Sequence, residues 1–287
     1  MGHEASGVIE RAGAAVRGYS PGDRVTFDST EYCGVCHFCL RGLINLCDNR
    51  RVLGVSCGDY RRHGAFAEFI AVPERILYPL PEGVSFEQAA MTEPVSIAVH
   101  AVERVPLRFD DTVVVVGAGM IGLLVVQTLR ARGCGRLIAV DLADDKLALA
   151  RRFGADETVN SSHADAVTAV MDWTGGRGAD VAFEVVGATA PLRTAIACVR
   201  KGGSVGLVGN ISPGVEMPLQ AVVTRQIALF GSCSSCLEYP ACLNAIARGA
   251  IDVDAMMSAA APLEEGPAWF KRLKSGEPGL MKVVLRP

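Results

Sequence analysis

Three things are scarce in this sequence, and each scarcity closes off a class of protein. Basic excess is absent: 28 Lys and Arg stand against 31 Asp and Glu, for a formal net charge of −3. With no Lys/Arg cluster to neutralise phosphates, a nucleic-acid binder is excluded. Long apolar runs are also absent. The longest, Val113 to Val126, is broken by Gly117, Gly119 and Gly122, and it falls short of the about 20 residues that cross a bilayer. Finally, the start Met1-Gly2-His3-Glu4 has neither the basic n-region nor the apolar h-region of a signal peptide. These readings lead us to expect a soluble, cytoplasmic chain with no membrane partner.

What is present is enough core for two domains of moderate size: 287 residues, half of them hydrophobic. Residues 1–95 are irregular and carry short strand-like runs, among them Arg24–Phe27 and Ala67–Val72. Turn signals such as Pro21-Gly22-Asp23 and Pro81-Glu82-Gly83 separate them, so this region reads as a small β-barrel-like domain. From 96 to 240 strands alternate with helices. Strands are expected at Val113–Val116, Leu137–Val140, Asp180–Val185 and Ser204–Val208. Helices are expected at Met120–Ala131, Lys146–Phe153 and Ala190–Val199. Such alternation implies an α/β fold whose parallel, doubly wound sheet is covered on both faces. Residues 241–287 add a helix at Ala241–Ala247 and a last strand at Met281–Leu285.

Gly117-Ala118-Gly119-Met120-Ile121-Gly122 matches G-x-G-x-x-G. The motif alone is weak, but here it follows a four-valine strand and opens an apolar helix, which is the context it needs. Gly117 allows the tight turn, Gly119 lets backbone approach a pyrophosphate, and Gly122 lets helix and sheet pack closely. Met120 and Ile121 offer their N–H groups at the helix start. Asp141 ends the next strand. Its carboxylate suits the adenosine ribose hydroxyls and opposes a 2′-phosphate, so NAD is favoured over NADP. Lys146 is placed to contact the same ribose, or to be a solvated helix lysine. Val208 and Gly209, at the end of a later strand, are further candidates for the nucleotide.

Of ten cysteines, four lie in the run Cys33-x2-Cys36-x2-Cys39-x7-Cys47. Without secretion, clustered cysteines point to metal rather than disulfides. Four thiolates suit tetrahedral Zn²⁺ and leave no place for substrate, so the site is structural. An iron–sulfur cluster is the rival. Cys233-x2-Cys236 with Cys242 reads as small residues packed near a subunit interface rather than as a second metal site. His37, His63, His100 and His163, with Trp173 and Trp269, are read as packed or solvated.

Gly2-His3-Glu4-x2-Gly7-x5-Gly13-x2-Val16 resembles the zinc alcohol dehydrogenase signature. The chain around it agrees, at Pro21-Gly22-Asp23-Arg24-Val25, the cysteine loop, Gly64-Ala65-Phe66-Ala67-Glu68 and Glu93-Pro94. The chain is therefore similar to the zinc-dependent medium-chain alcohol dehydrogenases over essentially its whole length. It looks most like the sorbitol dehydrogenase branch, which has Glu-Pro where ethanol-oxidising members have a ligand cysteine. The resemblance implies a GroES-like catalytic domain, N-terminally incomplete, beside a Rossmann domain, with residues 241–287 returning to the catalytic part. It implies a catalytic zinc at His3 and Glu4, with Glu93 beside the metal. It also implies a homodimer or homotetramer. The family's cysteine ligand and relay hydroxyl lie upstream of Gly-His-Glu. On this resemblance the sequence is expected to be a fragment or to start late, and to turn over little substrate.

The implied reaction is zinc-assisted oxidation of a secondary alcohol to a ketone, with hydride passing to NAD. A polyol or sugar alcohol is the expected substrate. Polyol enzymes often carry an arginine and an aromatic where this chain has Ser232-Cys233-Ser234-Ser235-Cys236, which leaves the particular alcohol open. A threonine dehydrogenase shares the metal pattern. A zinc-free quinone reductase would need neither the cysteine loop nor His3-Glu4. An inactive protein binding NAD and one zinc is the non-enzymatic alternative.

Overall fold

The structure, a computed structural model, describes residues 1–55 and 61–287; Cys57 lies outside them. The chain divides into two compact units, one formed by Met1–Ser96 with Ser234–Pro287 and the other by Ile97–Cys233.

The first unit opens with strands β1 (Ser6–Val8), β2 (Arg24–Phe27), β3 (Thr30–Glu31), β4 (Arg51–Leu53), β5 (Arg61–Arg62) and β6 (Leu77–Pro79). They form two three-stranded sheets, β1-β2-β6 and β3-β4-β5. A small core of Phe27, Leu53 and Ile76 joins them. Ala67–Val72 is not a strand, contrary to its strand-like composition. Among the described residues no strand pairs with it, and Phe69 in its middle is 72% exposed. Alternating side chains give a strand only when a neighbour takes up the backbone N–H and C=O groups. Helix α1 (Phe86–Ala90) begins on a capping box, in which Ser85 and Gln88 satisfy each other's backbone N–H. Helix α2 (Thr92–Arg104) follows.

The second unit holds β7 (Val113–Val116), α3 (Met120–Ala131), β8 (Leu137–Asp141), α4 (Asp144–Arg152), β9 (Glu157–Asn160) and α5 (Ala166–Trp173). It continues with β10 (Ala179–Glu184), α6 (Thr189–Cys198), β11 (Val199–Leu207), α7 (Leu219–Thr224) and β12 (Ala228–Gly231). The strands form one parallel sheet in the order β12-β11-β10-β7-β8-β9. All four valines of β7 are buried, as a strand covered on both faces requires. Val114, Ile138, Ala182, Leu192, Ile196 and Val205 pack in one core across the sheet.

The chain then returns to the first unit with α8 (Tyr239–Ala247), β13 (Met257–Pro262), α9 (Gly266–Lys274) and β14 (Lys282–Arg286). Strands β13 and β14 pair in parallel. No helix among the described residues is long and apolar enough to cross a membrane.

Candidate functional site

The structure brings His3, Glu4 and Glu93 together, their ligand atoms lying within 4.8 Å of one another. His3 Nε2 stands 3.8 Å from Glu4 Oε1 and 3.8 Å from Glu93 Oε1. Local pairing fixes the first two. Ser6 pairs with Thr26 across β1 and β2, and the Thr26 hydroxyl donates to the Ala5 carbonyl at 2.8 Å. The carbonyls of Gly2 and Met1 accept from Ala65 N (2.8 Å) and Phe66 N (3.0 Å). Glu93 comes from the first turn of α2, where the Ser96 hydroxyl donates to its carbonyl at 2.6 Å.

Burial dominates the electrostatics of this cluster. Burial, reinforced by the positive charge of Lys282, lowers the pKa of His3, favouring the neutral imidazole that a metal needs. Burial first, and then the charge of Asp28, pushes Glu93 up to about 8. Asp28 is itself raised to about 6 by burial, against hydrogen bonds from Thr30 and Ser235. Lys282, the first residue of β14, forms an ion pair with Glu4, and burial lowers its pKa to about 8. An imidazole nitrogen with two carboxylates is a donor set that zinc accepts, and three protein ligands leave a position open for substrate. The donors present therefore fit a catalytic zinc. Lys282 is a residue that the sequence alone did not single out; it reaches Glu4 from the first position of β14, at the far end of the sequence.

A metal ion that takes up Glu93 as a carboxylate must displace its proton. At pH 7 a group with a pKa of about 8 is mostly protonated, so zinc uptake should release about one proton from Glu93, and affinity should rise with pH up to that value. Titration calorimetry in buffers of different ionisation enthalpy measures this. Glu93→Gln should release one proton fewer than the parent protein; equal release in both would remove Glu93 from the ligand set.

The second cluster is the loop carrying Cys33, Cys36, Cys39 and Cys47, whose sulfurs also lie within 4.8 Å of one another. Backbone N–H groups point at them: Cys33 N donates to Cys47 Sγ at 3.3 Å, Cys36 N to Cys33 Sγ at 3.3 Å, and Asn49 N to Cys47 Sγ at 3.4 Å. These donors favour thiolate. Cys33 is brought down to about 6, chiefly by the backbone N–H of Val35, and Cys36 is lowered by the N–H of Cys39. Cys39 is driven the other way, to about 12, by burial and by neighbouring sulfurs. Four thiols this close cannot all ionise without a counter-cation, which a divalent metal supplies. His37 points elsewhere and pairs with Arg41 at 2.7 Å. Cys236 donates to the Gly42 carbonyl, Cys242 is fully buried, and the described residues show no metal-binding group around them.

The glycine turn lies in the second unit. Gly117 leaves β7 with φ +103°, donating its N–H to Val140 O at 2.8 Å. A Cβ on Gly122 would lie 1.8 Å from the Gly117 carbonyl oxygen, so no side chain fits between helix and turn. A Cβ on Gly119, the cap of α3, would meet nothing within 4 Å. The turn is thus closed on its sheet side and open at the helix N-terminus, beside the N–H groups of Met120 and Ile121. That is the shape a pyrophosphate fits. Asp141 ends β8 and holds the turn together: Oδ2 accepts from Ala118 N at 2.7 Å, and Oδ1 from Leu142 N at 2.8 Å and Ala143 N at 3.1 Å. Lys146 is half-buried one turn further on, in α4. Val208 and Gly209 follow β11 and donate their N–H groups to the carbonyl of Glu184, at 2.9 and 3.0 Å. Glu184 is a second residue that the sequence did not single out.

Residues 1–82 match the alcohol dehydrogenase GroES-like domain, and residues 121–248 match the zinc-binding dehydrogenase domain. The sorbitol dehydrogenase of Bacillus subtilis (strain 168) is 32% identical over 289 residues, covering 100% of this chain and 80% of that protein. This chain is a zinc-dependent medium-chain alcohol dehydrogenase. Among solved structures of the family, the alcohol dehydrogenase from Thermus sp. ATN1 superposes with a TM-score of 0.92 at 31% identity, covering 100% of this chain and 86% of its own. A zinc-binding dehydrogenase from Sinorhizobium meliloti 1021, bound to NADP, does so at 0.89 and 31% identity, covering 99% and 82%. The fold is accordingly the family's α/β arrangement, a GroES-like part and a Rossmann part. Its cofactors are zinc and a nicotinamide nucleotide, and its chemistry is oxidoreduction of a small alcohol.

Proposed function

We propose that this dehydrogenase oxidises a polyol or sugar alcohol at a secondary carbon, giving the ketone, with NAD taking the hydride. The observation that carries the reading is the convergence of His3, Glu4 and Glu93 within 4.8 Å in the same chain as an open glycine turn. The sorbitol specificity of the Bacillus subtilis relative supports the substrate class. His3 and Glu4 would hold the catalytic zinc with Glu93 at its side; Cys33, Cys36, Cys39 and Cys47 would hold the structural zinc. Gly117, Gly119, Met120, Ile121, Gly122, Asp141, Lys146, Val208 and Gly209 would hold the nucleotide. When bound, zinc supplies a Lewis acid that lowers the pKa of the alcohol hydroxyl, and the nicotinamide supplies the hydride acceptor. Glu93 holds a proton in the absence of a cation and can give it up when charge arrives. Lys282 keeps Glu4 in place from the other side. A cytoplasmic homodimer or homotetramer completes the proposal.

The test is turnover, metal content and nucleotide binding on one preparation. Expected are two zinc atoms per chain and measurable, even if slow, reduction of NAD with sorbitol or a related polyol. Turnover of L-threonine in place of polyols would transfer the enzyme to another substrate class. Two zincs with no reaction on any secondary alcohol would overturn the proposal.

A further inference from the structure

Glu184 closes β10 and is 3% exposed. Its carboxylate accepts from Val186 N at 2.8 Å and from Gly187 N at 2.8 and 3.0 Å. Its carbonyl accepts from Val208 N and Gly209 N. One residue thus gathers four backbone N–H groups from the two loops that follow β10 and β11. Those loops touch main chain to main chain. A Cβ on Gly187 would lie 2.4 Å from Asn210 N, and one on Gly209 would lie 2.0 Å from Gly187 N. Ser212 N donates to the Gly187 carbonyl at 3.0 Å. The first loop also backs the glycine turn, since a Cβ on Gly117 would lie 2.6 Å from Val186 Cγ2.

Strand order decides what these loops face. Connections run outward in both directions from β7 and β10, so the order reverses between them. In open α/β sheets a dinucleotide lies outside the carboxyl ends of the strands at that reversal. Asp141 stands at the end of β8, on one side of β7, and addresses the adenosine ribose. The other half of the molecule must then extend over β10 and β11, onto the loops that Glu184 ties together.

We propose that Glu184 is a positioning residue for the nicotinamide half of the cofactor: its buried carboxylate sets the backbone of residues 185–187, and through them that of 208–211, in the shape that receives the ring and its ribose. The proposal rests on the nucleotide site described above. The carboxylate holds the first loop directly, and the second is held to the first through the close approach of Gly187 to Asn210 and the Ser212 N–H on the Gly187 carbonyl. A carboxylate is suited to the task because it accepts only; an amide in its place turns one end into a donor facing an N–H.

The experiment separates the two halves of the cofactor. NADH binding to the full chain is followed by nicotinamide fluorescence, and ADP, which occupies only the adenosine half, is titrated as a competitor. Glu184→Gln keeps shape and one accepting oxygen; Glu184→Ala keeps neither. NADH affinity should fall roughly tenfold in Glu184→Gln, whose NH2 faces the Gly187 N–H, and further in Glu184→Ala, which leaves the Val186 and Gly187 N–H groups without the carboxylate. The fluorescence change on binding should shrink, while ADP affinity stays within about twofold. If Glu184→Ala fails to fold, Glu184→Gln alone decides. Equal losses of NADH and ADP would reduce Glu184 to a general support of the unit and overturn the inference, as would unchanged NADH affinity. If the parent protein binds ADP and NADH equally poorly, the nucleotide site itself is misassigned, an outcome distinct from either.

Discussion

Replacing Cys47 by serine is expected to remove one zinc per chain and to lower the melting temperature of the first unit by roughly 10 °C. A metal held at a thousandfold over its dissociation constant stabilises the folded state by about 4 kcal/mol, and a unit of this size shifts by about 2–4 °C per kcal/mol. Cys47 is the most buried of the four cysteines, at 4% exposure. Its sulfur accepts from both Cys33 N and Asn49 N, so it ties the two ends of the loop together. A serine hydroxyl is a poor zinc ligand at neutral pH, and its loss leaves three thiolates without a complete shell. The second unit has its own core, so NADH binding should survive. Metal analysis with calorimetric melting checks this. An unchanged zinc content in Cys47→Ser would mean that the loop is not a metal site.

The parent protein is expected to bind NAD at least tenfold more tightly than NADP, and Asp141→Asn to bring the two within a few-fold. A carboxylate a few ångströms from a 2′-phosphate is repelled by about 1–4 kcal/mol per charge pair, depending on local screening. The structure alters which substitution is informative. Asp141 Oδ2 also accepts from Ala118 N inside the glycine turn, so Asp141→Ser should relax the discrimination and weaken NAD as well. Asparagine removes the charge and keeps an accepting oxygen for Ala118, at the cost of turning its NH2 toward the Leu142 and Ala143 N–H groups. Binding titrations of both nucleotides to both variants separate the two effects. A parent protein that prefers NADP, the nucleotide bound in the Sinorhizobium meliloti relative, would end the assignment of Asp141.

What could be read from the sequence was what is local in it. The valine strand, the glycine turn and the helix from Met120 to Ala131 are adjacent along the chain, so pattern and position coincide. The four cysteines likewise fall within one loop. His3, Glu4 and Glu93 required the family resemblance, because nothing in the spacing of His3 and Glu93 indicates that a sheet and a helix will bring them together. Lys282 and Glu184 were missed for a different reason. Each looks like an ordinary charged residue at a strand end. A signal was available for Glu184: a carboxylate closing a strand whose neighbours are all buried must find donors, and the next residues, Val185-Val186-Gly187, are the nearest supply. Ala67–Val72 shows the opposite error, a composition that suits a strand without a strand beside it.

The division of the chain has a consequence for the order in which the molecule assembles. The second unit is one continuous stretch, Ile97–Cys233, whereas the first is built from Met1–Ser96 and Ser234–Pro287. Its stitches span long stretches of chain: Ser235 to Asp28 across 207 residues, Gln88 to Asp254 across 166, and Lys282 to Glu4 across nearly the whole sequence. Such contacts carry the full entropic cost of closing a long loop, and they form late. On the ribosome residues 1–96 emerge ahead of the second unit and wait, while the sheet of β7 to β12 closes behind them and shortens the loop to be spanned. The cysteine loop, complete within its own short segment, can take its metal during that wait. The His3 cluster receives Lys282 only after synthesis has passed β14, so Glu4 acquires its ion-pair partner long after it has itself left the ribosome.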